Sequence, residues 1–208
     1  MVILDLETTG TNVFDAEIIT GYFIKVDLSF NIISEYHLKS QPRKWSYEAE
    51  AVHGIKREET ISWPAWNQVY NDLLDWLEAY ETNEAWMHTN AKMFGKLTYF
   101  DHAILRLRMG DMGDVPYFLI EKIRPYSTHS LAKVLQNHFN FEGFSLDLIC
   151  KRLEIELQHH DAKSDALACL EIIKQLLPMT NREALYNYER EVLNESSGKV
   201  KRPNARQK

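Results

Sequence analysis

Cysteine is almost missing from this chain of 208 residues, which has only Cys150 and Cys169. Both fall in apolar helical patterns, so buried free thiols are expected rather than a disulfide frame or a thiolate metal site. No stretch approaches the roughly 20 apolar residues that a membrane span needs. A strand pattern starts at Val2, so the basic and apolar regions of a secretory leader are not expected at this N-terminus. Together these features predict a cytoplasmic protein with no membrane contact. An excess of positive charge is lacking too: 24 Lys and Arg stand against 30 Asp and Glu, a net charge of −6. That excludes a general coat for polyanions. It does not exclude an enzyme acting on nucleic acid, because a carboxylate metal site brings negative charge and neutralises it with cations. There is no internal repeat. What is present, 45% apolar and 26% charged residues, suits one soluble domain able to bury its own core.

The chain opens with strand patterns and continues with helical ones. After an opening strand from Val2, Glu17 to Val26 and Ile32 to Leu38 read as two further strands, joined by a hairpin-length connection at 27–31. A helix capped by Ser62 is predicted from Trp66, Val69, Tyr70, Leu73, Leu74 and Leu77 at helical spacing. Ala85-Trp86-Met87 reads as a short inner strand. Further helices are expected over Tyr99–Met109, Thr128–His138, Ser145–Leu153 and Asp161–Leu177, with a polar one over Arg182–Leu193. Gly110 and Gly113 mark a loop. Residues 194–208 read as a basic, solvated and disordered tail. Strands first and helices later give an α/β layered domain with a mixed sheet, here bounded as 1–180, with 181–193 as a helical extension.

The most informative stretch is Asp5-Leu6-Glu7-Thr8-Thr9-Gly10, arriving after Met1-Val2-Ile3-Leu4. Strand residues two apart share a face, so Asp5 and Glu7 project together while Val2, Leu4 and Leu6 face a covering helix. Two adjacent carboxylates repel unless a proton or cation lies between them. Oxygen ligands alone point to Mg²⁺ or Mn²⁺ rather than zinc. Two further acids fall on apolar helix faces. Asp165 lies three residues after Ala162 and four before Cys169; Asp101 lies three and four before Ile104 and Leu105. An unpaired charge there costs several kcal/mol, so Asp5, Glu7, Asp101 and Asp165 are expected to converge on a common pair of cations. His160 precedes the helix carrying Asp165, and an imidazole titrating near neutrality suits a general base. His159 competes for that role, and Asp161 reads as the helix N-cap.

With these residues in view, the chain resembles the DEDDh exonuclease superfamily, and within it the proofreading subunit of bacterial replicative polymerases. The resemblance runs from Val2 to about Leu177. It rests on Asp5-Leu6-Glu7-Thr8-Thr9-Gly10, Ala49-Glu50-Ala51-Val52-His53-Gly54-Ile55, Tyr99-Phe100-Asp101, Ser145 to Ile155, and His160-Asp161-Ala162-Lys163-Ser164-Asp165-Ala166. Two features depart from the pattern. His88-Thr89-Asn90 stands well upstream of Phe100-Asp101, with Lys92 to Thr98 as an insertion, and Ser127-Thr128 occupies the place of a usual Asp-Thr pair.

The resemblance implies an RNase H-like fold with a central mixed five-stranded sheet. It also implies two-metal hydrolysis of phosphodiester bonds with Mg²⁺ or Mn²⁺. Asp5, Glu7, Asp101 and Asp165 would be the metal ligands and His160 the base. Thr8, Val52, His53 and Phe100 would line the terminal-nucleotide pocket, with Phe14 a further candidate. Trp45, Trp63 and Trp66 read as packing residues. The expected reaction removes nucleoside 5′-monophosphates from 3′ ends of DNA, preferably single-stranded, with a polymerase or repair protein as a possible partner. The alternatives are an exoribonuclease of the oligoribonuclease or tRNA-trimming type and a catalytically silent nucleic-acid or polymerase-binding module.

Overall fold

The computed structural model describes residues 1–78, 83–89, 92–93, 96–97, 99–112, 123–158 and 160–197. Seven strands appear among them: β1 (Val2–Thr8), β2 (Ile18–Val26), β3 (Ile32–Lys39), β4 (Glu84–Met87), β5 (Lys92–Met93), β6 (Lys96–Leu97) and β7 (Arg124–Ser127). Five of these form one mixed sheet in the order β3-β2-β1-β4-β7. β1, β2 and β3 are antiparallel neighbours, whereas β4 runs parallel to β1 and β7 parallel to β4. Among the described residues β5 and β6 pair only with each other, so part of the insertion is a small ribbon apart from the main sheet.

The helices are α1 (Tyr47–His53), α2 (Arg57–Thr60), α3 (Trp66–Glu78), α4 (Phe100–Gly110), α5 (Thr128–Val134), α6 (Gln136–Phe139), α7 (Leu146–Leu153), α8 (Ala162–Leu176) and α9 (Arg182–Ser197). They cover both faces of the sheet, as the period of two along β1 requires. Val2, Leu4 and Leu6 pack with Leu73 and Leu77 of α3 and with Ile104, Leu105 and Met109 of α4. Ile3, on the opposite face, joins Trp86 and Tyr126 in a core closed by α5, α7 and α8. No described helix is long and apolar enough to cross a membrane. Cys150 and Cys169 are buried free thiols.

Several boundaries differ from the sequence reading. Helix α3 begins at Trp66, not after Ser62, because Gln68 Oε1 accepts from the Ala65 amide (2.9 Å) and serves that end. The expected helix over Thr128–His138 is interrupted at Leu135, whose ψ of 12° leaves the helical region. Strand β7 escaped detection because Pro125 argues against a strand; it is tolerated here since β7 is a sheet edge. Tyr126 stacks on Trp86 there, with ring centroids 4.7 Å apart. Residues 194–197 continue α9 instead of opening the tail. The rest of the tail (198–208), Gly113 of the expected loop, Asn90 and His159 lie outside the described residues.

Lys25 is buried near the end of β2, a place that needs a partner for an ammonium. Its Nζ donates to the carbonyl oxygens of Trp76 and Leu77 (3.2 Å for the latter) and lies 4.4 Å from the Trp76 ring centroid. It thereby satisfies the C-terminal carbonyls of α3, where a cation also complements the helix dipole. Lys25→Met keeps the chain length and removes the donor. It is expected to destabilise the fold by about 1–3 kcal/mol in urea denaturation, the cost of leaving buried carbonyls unsatisfied.

Candidate active site

The C-terminal end of β1 carries the first two acids. Asp5 and Glu7 alternate with Leu4 and Leu6, so they share the face of Ile3, toward α8. Pairing of β1 with β2 slips between Glu7 and Thr8: Glu7 faces Thr20, but Thr8 faces Ile18. Such a bulge bends the strand and re-aims the side chains beside it. Beyond it the Thr8 hydroxyl donates to the Gly10 carbonyl (2.8 Å), closing the Thr-Thr-Gly turn.

Asp101 and Asp165 reach the same place from two helices. Each lies in the first turn of its helix, α4 and α8, and each is buried. A carboxylate is favoured at a helix N-terminus by the free amides and the dipole there. Asp161 caps α8, accepting from the Ser164 amide at 2.8 Å, as its position in the sequence predicts. His160 stands just before that cap, exposed, with φ 65° in the left-handed region. Its backbone N–H donates to Asp165 Oδ2 at 3.3 Å. Glu7, His160 and Asp165 each present a ligand atom within 4.8 Å of the others, close enough to share one cation.

The electrostatics report the crowding. Burial, and then the charges of Asp101, Asp165, Glu7 and Asp161, push the Asp5 carboxyl well above its ordinary range. Burial, then Asp165, Asp101 and Asp161, raise Glu7 to about 8. Burial and the Asp165 charge raise Asp101 to about 8. Four acids from β1, α4 and α8 therefore form one mutually repelling cluster, and its oxygen-rich donor set fits a hard divalent cation.

The expected nucleotide pocket is only partly gathered. Helix α1 ends at His53, and Gly54 (φ 74°) closes it by donating to the Glu50 carbonyl at 2.8 Å; this explains the glycine of Val-His-Gly. His53 is 8% exposed. Its Nδ1 accepts from the Ile55 amide (3.0 Å), which leaves the ring proton on Nε2. That Nε2 is buried and has no hydrogen-bond partner among the described residues. Burial lowers the His53 pKa; the Glu50 carboxylate opposes that shift, and His160 adds to it. Val52 beside it is 53% exposed, an open apolar surface. Phe100 instead packs against the core of Val2, Leu4 and Leu6. Phe14 is exposed on the loop before β2, which Arg108 Nη2 holds by a bond to the Phe14 carbonyl (3.0 Å).

The two departures from the family pattern fall at the neighbouring strand ends. Ser127 Oγ donates to the Thr89 carbonyl (2.7 Å) and accepts from the His129 amide, so it caps α5. Thr128 Oγ1 lies 2.9 Å from His88 Nδ1. Sequence reasoning did not single out Glu17. A charged residue between Ala16 and Ile18, next to the apolar run of β2, was the available signal, and the structure buries it.

A mixed sheet in this strand order, with helices on both faces, is the ribonuclease H-like fold. The chain belongs to the exonuclease family (RNase_T), whose model matches residues 2–173. Among solved structures it is similar to exonuclease I, with a TM-score of 0.71 at 18% identity over 90% of this chain. The zinc-bound E. coli exonuclease I–single-stranded DNA complex gives 0.72 at 19% identity, and the same enzyme with a dT13 oligonucleotide gives 0.71 at 19%, each over 90% of this chain. The chain spans 42% of the length of these three chains. No curated protein matches it in sequence.

Raised carboxyl pKa values set the sign of a pH effect. With chelator present, the native state holds protons that the unfolded chain has released between about pH 4.5 and 8, so stability falls as pH rises through that window. The melting temperature in EDTA is therefore expected to be lower at pH 8 than at pH 5.5, by roughly 2–4 °C per kcal/mol of repulsion. Mn²⁺ should raise it more at pH 8, and Glu7→Gln should flatten both dependences. A pH-independent melting temperature would contradict the crowded-acid account.

Proposed function

We propose that this chain removes nucleoside 5′-monophosphates from the 3′ end of single-stranded DNA by metal-dependent hydrolysis. The observation that carries this reading is the convergence of Asp5, Glu7, Asp101 and Asp165 beside His160. Family membership and the single-stranded DNA complexes of exonuclease I support the reaction class and the substrate.

Asp5, Glu7, Asp101 and Asp165 would hold two divalent cations, Mg²⁺ or Mn²⁺. When bound, these supply water activation and charge neutralisation at the scissile phosphate. A ring nitrogen of His160 takes the proton of the attacking water, its place fixed by the backbone bond to Asp165. The His53 Nε2–H donates to an oxygen of the terminal nucleotide, which satisfies a buried donor otherwise without a partner. Val52 offers apolar surface for the terminal nucleotide, Thr8 fixes the turn beneath it, and Phe100 seats the first turn of α4. Terminal unstacking favours single strands, because each base must leave its neighbours to enter the site. A cytoplasmic location belongs to the same reading, on the strength of two buried free thiols.

The test is an incubation of 5′-labelled DNA and RNA oligonucleotides with Mg²⁺, Mn²⁺ or EDTA. A ladder shortening from the 3′ end of DNA in metal, and none in EDTA, is expected. Asp165→Asn should lower kcat at least about a hundredfold with the fold intact, and His160→Ala should lower kcat at neutral pH by a similar factor. Cleavage of RNA alone would transfer the reading to an exoribonuclease. No metal-dependent mononucleotide release from either polymer would refute it.

A further inference from the structure

Glu17 immediately precedes β2, and its side chain is 11% exposed. Its backbone and its carboxylate are held by different parts of the chain. The Glu17 amide donates to Thr9 Oγ1 (2.9 Å), and its carbonyl accepts from the Thr9 amide (3.0 Å), two residues beyond Glu7. Its carboxylate Oε2 accepts from the backbone amides of Arg43 (2.6 Å) and Lys44 (2.9 Å), while Oε1 accepts from Arg43 Nε (2.9 Å). Lys44 adds an exposed ion pair to Asp15. Bonds from amides to an ionised carboxylate are among the stronger ones in proteins, and two converging on one oxygen fix the loop at 43–44.

That loop leads directly into the His53 helix. Trp45 follows Lys44, and its Nε1 donates to Glu50 Oε2 on α1 (2.9 Å). Its ring meets His53 edge to face, with centroids 6.2 Å apart and planes at 83°. Ser46 then caps α1 by accepting from the Ala49 amide (3.2 Å). Every link from Glu17 to the His53 ring is thus a hydrogen bond, an aromatic contact or a single peptide step. The same residue grips the strand of Glu7 at one end and the His53 helix at the other.

We propose that Glu17 is a positioning residue for substrate binding, setting the His53 ring against the metal-binding acids. It acts through the 43–44 amides, Trp45 and α1, and touches neither substrate nor metal. This rests on the reading of His53 as a nucleotide ligand and deepens it. The carboxylate accepts from all three donors that meet there, whereas a glutamine keeps one accepting oxygen for the two loop amides and turns its NH2 toward Arg43 Nε, donor against donor.

Steady-state kinetics on a single-stranded oligodeoxynucleotide with Mn²⁺ separate positioning from general support. Glu17→Gln is expected to raise KM about tenfold while changing kcat less than about twofold. His53→Ala should raise KM as well. The double variant should bind no worse than about the weaker single one, instead of showing the hundredfold product, because both changes disable one group. An unchanged KM in Glu17→Gln with a raised KM in His53→Ala overturns the positioning role alone. An unchanged KM in both overturns the His53 reading with it. If Glu17→Gln does not fold, Trp45→Ala interrupts the same relay further along, and effects additive with His53→Ala refute it.

Discussion

Repulsion among carboxylates organises this molecule. Asp5, Glu7, Asp101 and Asp165 lie close enough that each raises the affinity of another for protons, and protein surrounds most of them. A fold gains nothing from such a cluster by itself, since buried like charges cost stability. The surrounding architecture can be read as the means of tolerating it. Both helical acids sit in first turns, where free amides and the helix dipole favour negative charge. The strand acids lie beside a bulge at the end of β1, with one side left open.

The elements that bear these acids are braced from behind. The apolar face of β1 is packed by α3 and α4, so the strand and the helix of Asp101 share one core. The other face is closed by α8, whose first turn brings Asp165. Lys25 ties β2 to the end of α3, and Arg108 ties the far end of α4 to the loop before β2. The acids are thereby held by rigid elements instead of by loops, the arrangement that precise ligand placement requires.

Much of this was legible in the chain itself. Alternation along β1 separated Asp5 and Glu7 from Val2, Leu4 and Leu6, and the structure keeps that division. Asp101 and Asp165 stood out because charges on apolar helix faces demand a reason, and the structure buries both. Asp161 announced itself as a cap. The failures share a cause. Strand β7 carries Pro125, so it is a strand only by its pairing with β4, where Tyr126 stacks on Trp86, 40 residues away in sequence. Helix α3 is started by Gln68 and not by Ser62, a choice that depends on where the preceding loop runs. The role of Glu17 is equally remote, since its partners lie 26 and 27 residues away. Local pattern finds periodic elements and misplaced charges; it does not find groups whose meaning is set by distant backbone amides.

The turn that carries His160 has a consequence of its own. Its φ of 65° is a conformation that glycine adopts freely and that a side chain with a Cβ adopts at a cost of about 1 kcal/mol. The backbone bond to Asp165 uses only the N–H, which glycine also has. Nothing in the path of the chain therefore asks for an imidazole at this point, and glycine would make the same bend with less strain. The turn's geometry gives no reason for a side chain there, so the presence of the ring has to be explained by what the ring itself meets.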